Sequence, residues 1–330
     1  MNSNKVTAPA DVLPRNIGRH GLKPVVWVVT ATLCAIISAG WYAVHWHGVN
    51  LGKILDITVG TGAAVVIYGA FVKSRASWHR LSRLSDWLAL KQFDQTYGDP
   101  DLSGVAVIIP ALNERSTLAQ TLSDVPPEIC GLKVHALVVS DGSNDDTPEV
   151  ASQSGAYVCD SPLTRGQGAA LRLGYHLAER HHAQYIVTLD ADGQYVPAEM
   201  ENLLRPLIAG EADFVQGSRR LGTYESESRI RIAGMYLFGW VIRVLTHHRI
   251  TDSSNGFRAI RIEVLRRLAL NEDQYHASEL LMGAIFKGYQ VIECPVTMLR
   301  RKGGKTKKGR PLLYGFHYAR VILGTWLKEG

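Results

Sequence analysis

Between residues 105 and 217 the chain alternates short β-rich runs with stretches of helical periodicity, and polar clusters follow the apolar runs. Runs at 105–109, 134–140, 185–189 and 214–217 read as strands. Patterns at 115–123, 148–154, 168–183 and 197–209 read as helices. This order predicts an α/β domain with a doubly wound, mostly parallel sheet. In that architecture ligands sit beyond the carboxyl ends of the strands. The polar clusters fall there: Pro110 to Glu114 after the first run, Ser140 to Thr147 after the second, and Asp190-Ala191-Asp192-Gly193-Gln194 after the third.

Taken singly, the first two clusters match capped turns that start helices. The third carries two carboxylates one residue apart, a pattern suited to Mg²⁺ or Mn²⁺, which take oxygen ligands and bridge to substrate phosphates. Gln194 adds a third oxygen. The expected metal set is therefore Asp190, Asp192 and Gln194.

Upstream of this domain, residues 24–46 carry no Asp, Glu, Lys or Arg. As a helix they would extend roughly 35 Å, enough to cross a bilayer core. A signal peptide is the competing reading, but the stretch is longer than an h-region and ends without a clean cleavage site. A second, shorter apolar run, 57–72, lies between Asp56 and Lys73; it reads either as the second arm of a two-helix transmembrane hairpin over 24–73, which is the expected layout, or as part of a buried or re-entrant hairpin. Lys5, Arg15, Arg19 and Lys23 precede it and Lys73, Arg75, Arg80 and Arg83 follow it, which predicts an integral, multi-pass protein with its tail (1–23) and catalytic domain cytoplasmic. Residues 74–100 read as an amphipathic linker helix, either on the membrane surface or packed on the following domain.

The composition, 46% hydrophobic and 20% charged with a net charge of +6, excludes a disordered chain. The positive charge concentrates at Arg300, Arg301, Lys302, Lys305, Lys307, Lys308 and Arg310, with no acid between them, and this suggests an anionic partner. Four dispersed cysteines make a disulfide framework or a zinc site a poor fit. The expected layout places the catalytic domain at 101–299 and a basic phosphate-binding loop with an interfacial helix at 300–330.

These motifs together carry a resemblance: PALNE (110–114), VVSDGSNDDT (138–147), RGQGAA (165–170), DADGQ (190–194), GSR (217–219), DSSNGFRA (252–259) and RRKGGKTK (300–307). From about 105 to 308 the chain resembles family 2 glycosyltransferases of the GT-A, Rossmann-like fold, most closely the branch that includes dolichol-phosphate mannose synthase. The resemblance implies a nucleotide-sugar donor contacted by Pro110, Leu112, Glu114, Asp141, Ser143, Arg165, Gly166 and Ala191, with Mg²⁺ or Mn²⁺ on Asp190, Asp192 and Gln194. It implies a polyprenyl phosphate acceptor met by Arg219, Arg229, Arg231, Arg301 and Lys307, with Asp192, Arg219 and Arg301 acting in catalysis. Asp252 is either a base or a loop brace. Leu112 stands where many relatives carry Tyr.

Q-x-x-R-W, the mark of processive synthases, is absent from the sequence, so a single inverting transfer is expected. One rival is a family 2 enzyme acting on a glycan or lipid hydroxyl, which would need a working base. Another is a membrane-tethered basic binding protein, which leaves the acidic motif without purpose. A nucleic-acid partner is not expected.

Overall fold

The computed structural model describes residues 51–225, 229–300 and 311–330. The chain divides into two compact units, Met1–Trp87 and Leu88–Gly330. The described part of the first unit is helical. It belongs to α1 (Leu51–Tyr97), which continues into the second unit.

The second unit is built on β1 (Gly104–Ala111), α2 (Leu118–Ser123), β2 (Glu128–Ile129), β3 (Leu132–Asp141), α3 (Thr147–Gln153), β4 (Tyr157–Ser161), α4 (Gln167–Arg180) and β5 (Ala183–Thr188). It continues through α5 (Met200–Ile208), β6 (Phe214–Tyr224), α6 (Arg229–Thr246), β7 (Arg258–Arg261), α7 (Ile262–Arg266), α8 (His276–Phe286), β8 (Val291–Met298) and α9 (Pro311–Glu329).

The eight strands form one sheet in the order β2-β3-β1-β5-β7-β6-β8, with β4 also paired to β3. β4, β3, β1 and β5 run parallel, whereas β7 is antiparallel to both β5 and β6. Strand alternation explains the two cores. Ala106 and Ile108 of β1 face one side with Ala170, Leu173 and Leu177 of α4, while Val105, Val107 and Ile109 face the other with Met200, Leu203, Leu204 and Leu207 of α5. A strand buried on both faces reads as a continuous apolar run, which is why β1 and the end of β3 were legible in the sequence.

Several boundaries differ from expectation. β6 extends to Tyr224, and β4, β7 and β8 are strands that the periodicity does not signal. β7 begins inside DSSNGFRA: its Arg258 and Arg261 interrupt the apolar pattern, but the ladder to β5 pairs Arg258 with Thr188 and Ile260 with Ile186.

The expected transmembrane hairpin is corrected by the structure. Residues 57–72 are not an arm that ends at Lys73; they belong to the continuous 47-residue helix α1, which carries on through Arg75, Arg80 and Arg83. Those charges follow the apolar run without a turn. Among the described residues, no helix is long and apolar enough to cross a membrane. The first expected span, 24–46, lies outside the described residues, as does the tail at 1–23. The integral, multi-pass placement with a cytoplasmic catalytic domain is accordingly withdrawn.

Candidate active site

The ends of β1 and β3 lie side by side and their loops interlock. Asn113, forced to a φ of 50°, donates its main-chain N–H to Ser143 Oγ at 3.1 Å and accepts from Asn144 N on its Oδ1 at 2.7 Å. Glu114 N donates to Thr147 Oγ1 at 2.9 Å, and Thr147 is fully buried. Pro110, Leu112 and Glu114 are thus held against the turn that carries Asp141 and Ser143. The Glu114 carboxylate is buried as well and lies 3.4 Å from Thr117 Oγ1.

Asp141 closes β3 and faces the next loop. Its Oδ1 accepts Arg165 N at 2.9 Å and its Oδ2 accepts Gly166 N at 2.7 Å. Burial pushes the Asp141 carboxyl above its ordinary pKa, and the two amides oppose that push. Gly166 has a φ of 128°, and a Cβ there would meet Asp273 O at 2.6 Å. Only glycine fits this approach. The loop is braced from beyond by Arg172, which donates to Glu272 O at 2.5 Å and pairs with Asp273, whose carbonyl accepts Gly168 N at 2.8 Å.

The acidic turn follows β5 directly. Thr117 Oγ1 donates to Ala191 O at 3.0 Å, and Asp192 Oδ1 accepts Gln194 N at 3.1 Å, so the turn is fixed at both ends. Asp190 Oδ1 accepts Gln167 Nε2 at 2.7 Å. A Cβ on Gly256 would lie 3.0 Å from Asp190 Oδ1, so a bare glycine backbone cradles this carboxylate. Two hard oxygen groups beside such a cradle suit a divalent cation. Gln194 is otherwise engaged: its main-chain oxygen accepts Leu299 N at 2.7 Å and its amide donates to Leu299 O at 2.9 Å. Among the described residues, no three His, Cys, Asp or Glu side chains gather as a metal-holding group.

Arg219 of β6 and Asp252 of the loop before β7 form a buried ion pair. Asp252 Oδ2 accepts Arg219 Nε at 2.6 Å and Arg219 N at 3.1 Å, and Oδ1 accepts Nη2 at 2.7 Å. Ser254 Oγ takes a further bond from Nη2 at 2.8 Å, and Nη1 faces Met298 Sδ at 3.6 Å. Burial would push the guanidinium pKa down, but hydrogen bonding to Asp252 and its charge outweigh it and hold Arg219 above its ordinary value.

Buried Tyr195 joins the two halves, since its hydroxyl donates to Asn255 Oδ1 at 2.8 Å. Burial raises the Tyr195 pKa, Asp190 raises it further and Arg219 opposes. Arg229 and Arg231 lie on the first turn of α6. Arg301 and Lys307 lie outside the described residues.

Comparison with known proteins gives the family. Residues 106–269 match the model of glycosyl transferase family 2. The dolichyl-phosphate hexose transferase of Haloferax volcanii is 30% identical over 225 residues, covering 68% of this chain and 95% of the relative. The polyprenol monophosphomannose synthase of Mycolicibacterium smegmatis is 33% identical over 213 residues, covering 61% of this chain and 79% of the relative.

The chain belongs to glycosyl transferase family 2. Among solved structures, glucosyl-3-phosphoglycerate synthase of Mycobacterium tuberculosis, crystallised with Mn²⁺, UDP and glucosyl-3-phosphoglycerate, superposes with a TM-score of 0.53 at 22% identity, covering 72% of this chain and 82% of that one. This likeness shows the GT-A fold. The family 2 enzyme is thus a glycosyltransferase whose motif loops converge on one rim of the sheet.

Sequence reasoning read the motifs that contain Gln167 and Thr147 without giving either residue a role of its own, and it missed Tyr195 and Glu293, the latter a lone acid within the strand sequence VIECPVTM.

Proposed function

We propose that this family 2 glycosyltransferase moves a hexose, with inversion, from a nucleotide-sugar to a polyprenyl phosphate. The observation that carries the reading is the commitment of Asp252 to Arg219: the carboxylate is fully buried and accepts three nitrogens of one arginine. A hydroxyl acceptor needs a base to take its proton, and Asp252 is occupied as a brace. A phosphate acceptor, with a second pKa of about 6, is already ionised at neutral pH and needs none. The names of the two relatives point to the same acceptor class.

In this reading Pro110, Leu112, Glu114, Asp141 and Ser143 shape the nucleoside end, and the Arg165–Gly166 amides sit beside the donor diphosphate. Asp190 and Asp192 would hold Mg²⁺ or Mn²⁺, which when bound neutralises charge on the leaving diphosphate. Arg219, oriented by Asp252, would meet the acceptor phosphate, with Arg229, Arg231, Arg301 and Lys307 completing the positive field. The bond from C1 of the sugar to the diphosphate oxygen breaks and its electron pair leaves with the diphosphate. An oxygen of the acceptor phosphate bonds C1 from the opposite face, and no proton moves. An α-linked donor gives a β-linked lipid phosphosugar.

The test is transfer of radiolabelled sugar from a panel of GDP- and UDP-sugars to polyprenyl phosphate, with Mg²⁺ or Mn²⁺ and with EDTA. A metal-dependent, mild-acid-labile lipid product is expected, and a folded Asp192→Ala protein should lose it. Donor hydrolysis without that product, or full turnover by Asp192→Ala, would overturn the reading.

A further inference from the structure

Thr251 and Asp252 sit in the loop between α6 and β7, outside any helix or ladder, so their main-chain N–H groups need acceptors. Glu293 of β8 supplies them. Its Oε1 accepts Thr251 N at 2.9 Å and Asp252 N at 2.9 Å, and its Oε2 accepts Thr251 N at 2.8 Å. An ionised acceptor binds amides more strongly than a neutral one.

The strand ladder fixes where Glu293 stands. In the parallel register of β6 and β8 it is opposite Gln216, three residues before Arg219. Ser218 and Thr251 meet through their hydroxyls at 2.6 Å, which ties the loop to β6 from its other side. Two carboxylates therefore act in series: Glu293 fixes the main chain at Asp252, and Asp252 fixes the guanidinium of Arg219.

We infer that Glu293 is a positioning residue for the acceptor side of the reaction, setting the attitude of Arg219 through Thr251 and Asp252. The inference rests on the proposed transfer to a phosphate acceptor. Glu293 touches neither the acidic turn nor the Arg165–Gly166 loop through its hydrogen bonds, so its influence falls on one substrate and not on both. Burial pushes its carboxyl pKa up, and the Asp252 and Thr251 amides oppose that push.

The experiment compares wild type with Glu293→Gln, which keeps the shape and one acceptor oxygen, and Glu293→Asp, which keeps the charge but draws it back. Steady-state KM is measured separately for a short-chain polyprenyl phosphate and for the nucleotide-sugar that wild type uses, alongside a thermal melt. The acceptor KM should rise about tenfold in both variants, with the donor KM within twofold of wild type. An unchanged acceptor KM in a folded variant, or parallel rises in both KM values, would overturn the inference. Failure of both variants to fold would also overturn it, assigning Glu293 to stability alone. Failure of the underlying reading looks different, because wild type itself would then transfer nothing to the lipid phosphate.

Discussion

Gln167 donates its side-chain amide to Asp190 Oδ1 across 2.7 Å. The bond joins the first residue of α4 to the acidic turn after β5, two elements that otherwise meet through the sheet. Because Gln167 follows Gly166, the segment that answers Asp141 also aims Asp190. The loops after β3, β4 and β5 are therefore cross-linked by hydrogen bonds.

Gln167→Ala removes this bond from an exposed side chain. Stability should fall by no more than about 1 kcal/mol, while the metal concentration for half-maximal transfer rises several-fold. Metal titration of initial rates, set beside a urea melt, separates the two effects.

Gly256→Ala tests the cradle. A methyl group there would lie 3.0 Å from Asp190 Oδ1 and 3.2 Å from Oδ2, so the carboxylate must move by a few tenths of an ångström. The expected outcome is a folded protein with transfer lowered on the order of tenfold or more, read from kcat with saturating donor. Wild-type kcat would show that Asp190 yields without consequence.

The Arg219–Asp252 pair predicts a pattern across three variants. Asp252→Leu alone strands a buried guanidinium and should cost about 3–5 kcal/mol. Arg219→Met alone strands the carboxylate at similar cost. The double variant should recover much of that stability, since apolar residues of like volume replace a buried pair well, yet remain without transfer. Denaturant melts and transfer assays on all three decide it.

His276, buried on α8, gives a pH prediction. Burial is the largest influence and pushes its pKa below the ordinary 6.5; Glu279 opposes this, while the charges of Arg258 and Arg172 add to it. The folded state therefore resists a proton that the unfolded state accepts, and stability is lost as pH falls through 6.5 and below. The unfolding free energy of wild type relative to His276→Gln should decline between about pH 7 and pH 5. A difference that holds constant over this range would contradict the assignment.

The parts of the site legible in the sequence were those that follow buried parallel strands. Ile108, Val138 and Val187 sit in apolar runs, and the polar residues that end those runs stand at the sheet's rim. β7 and β8 were missed for a physical reason. β7 is four residues long with arginine at each end, and β8 carries Glu293 and Pro295, so neither shows periodicity of its own. Their pairing with β5 and β6 decides their conformation. Asp252 shows the same limit: its motif permits a base or a brace, and the difference lies in a partner 33 residues away. The transmembrane reading of 57–72 set a helix boundary at Lys73, whereas one helix runs unbroken from the apolar run into the charged stretch.

The reversal of β7 has a further consequence. Asp190 and Arg219 belong to stretches where the chain runs outward, after β5 and along β6, but residues 252–257 reach the rim where the chain turns back inward. Asp252 and Gly256 thus meet Arg219 and Asp190 on a segment whose chain direction is opposite to that of the two segments they face. The stretch from α6 to β7 therefore belongs to both halves of the site: Gly256 lies against Asp190 and Asp252 holds Arg219, so an insertion or deletion within it would disturb the two together.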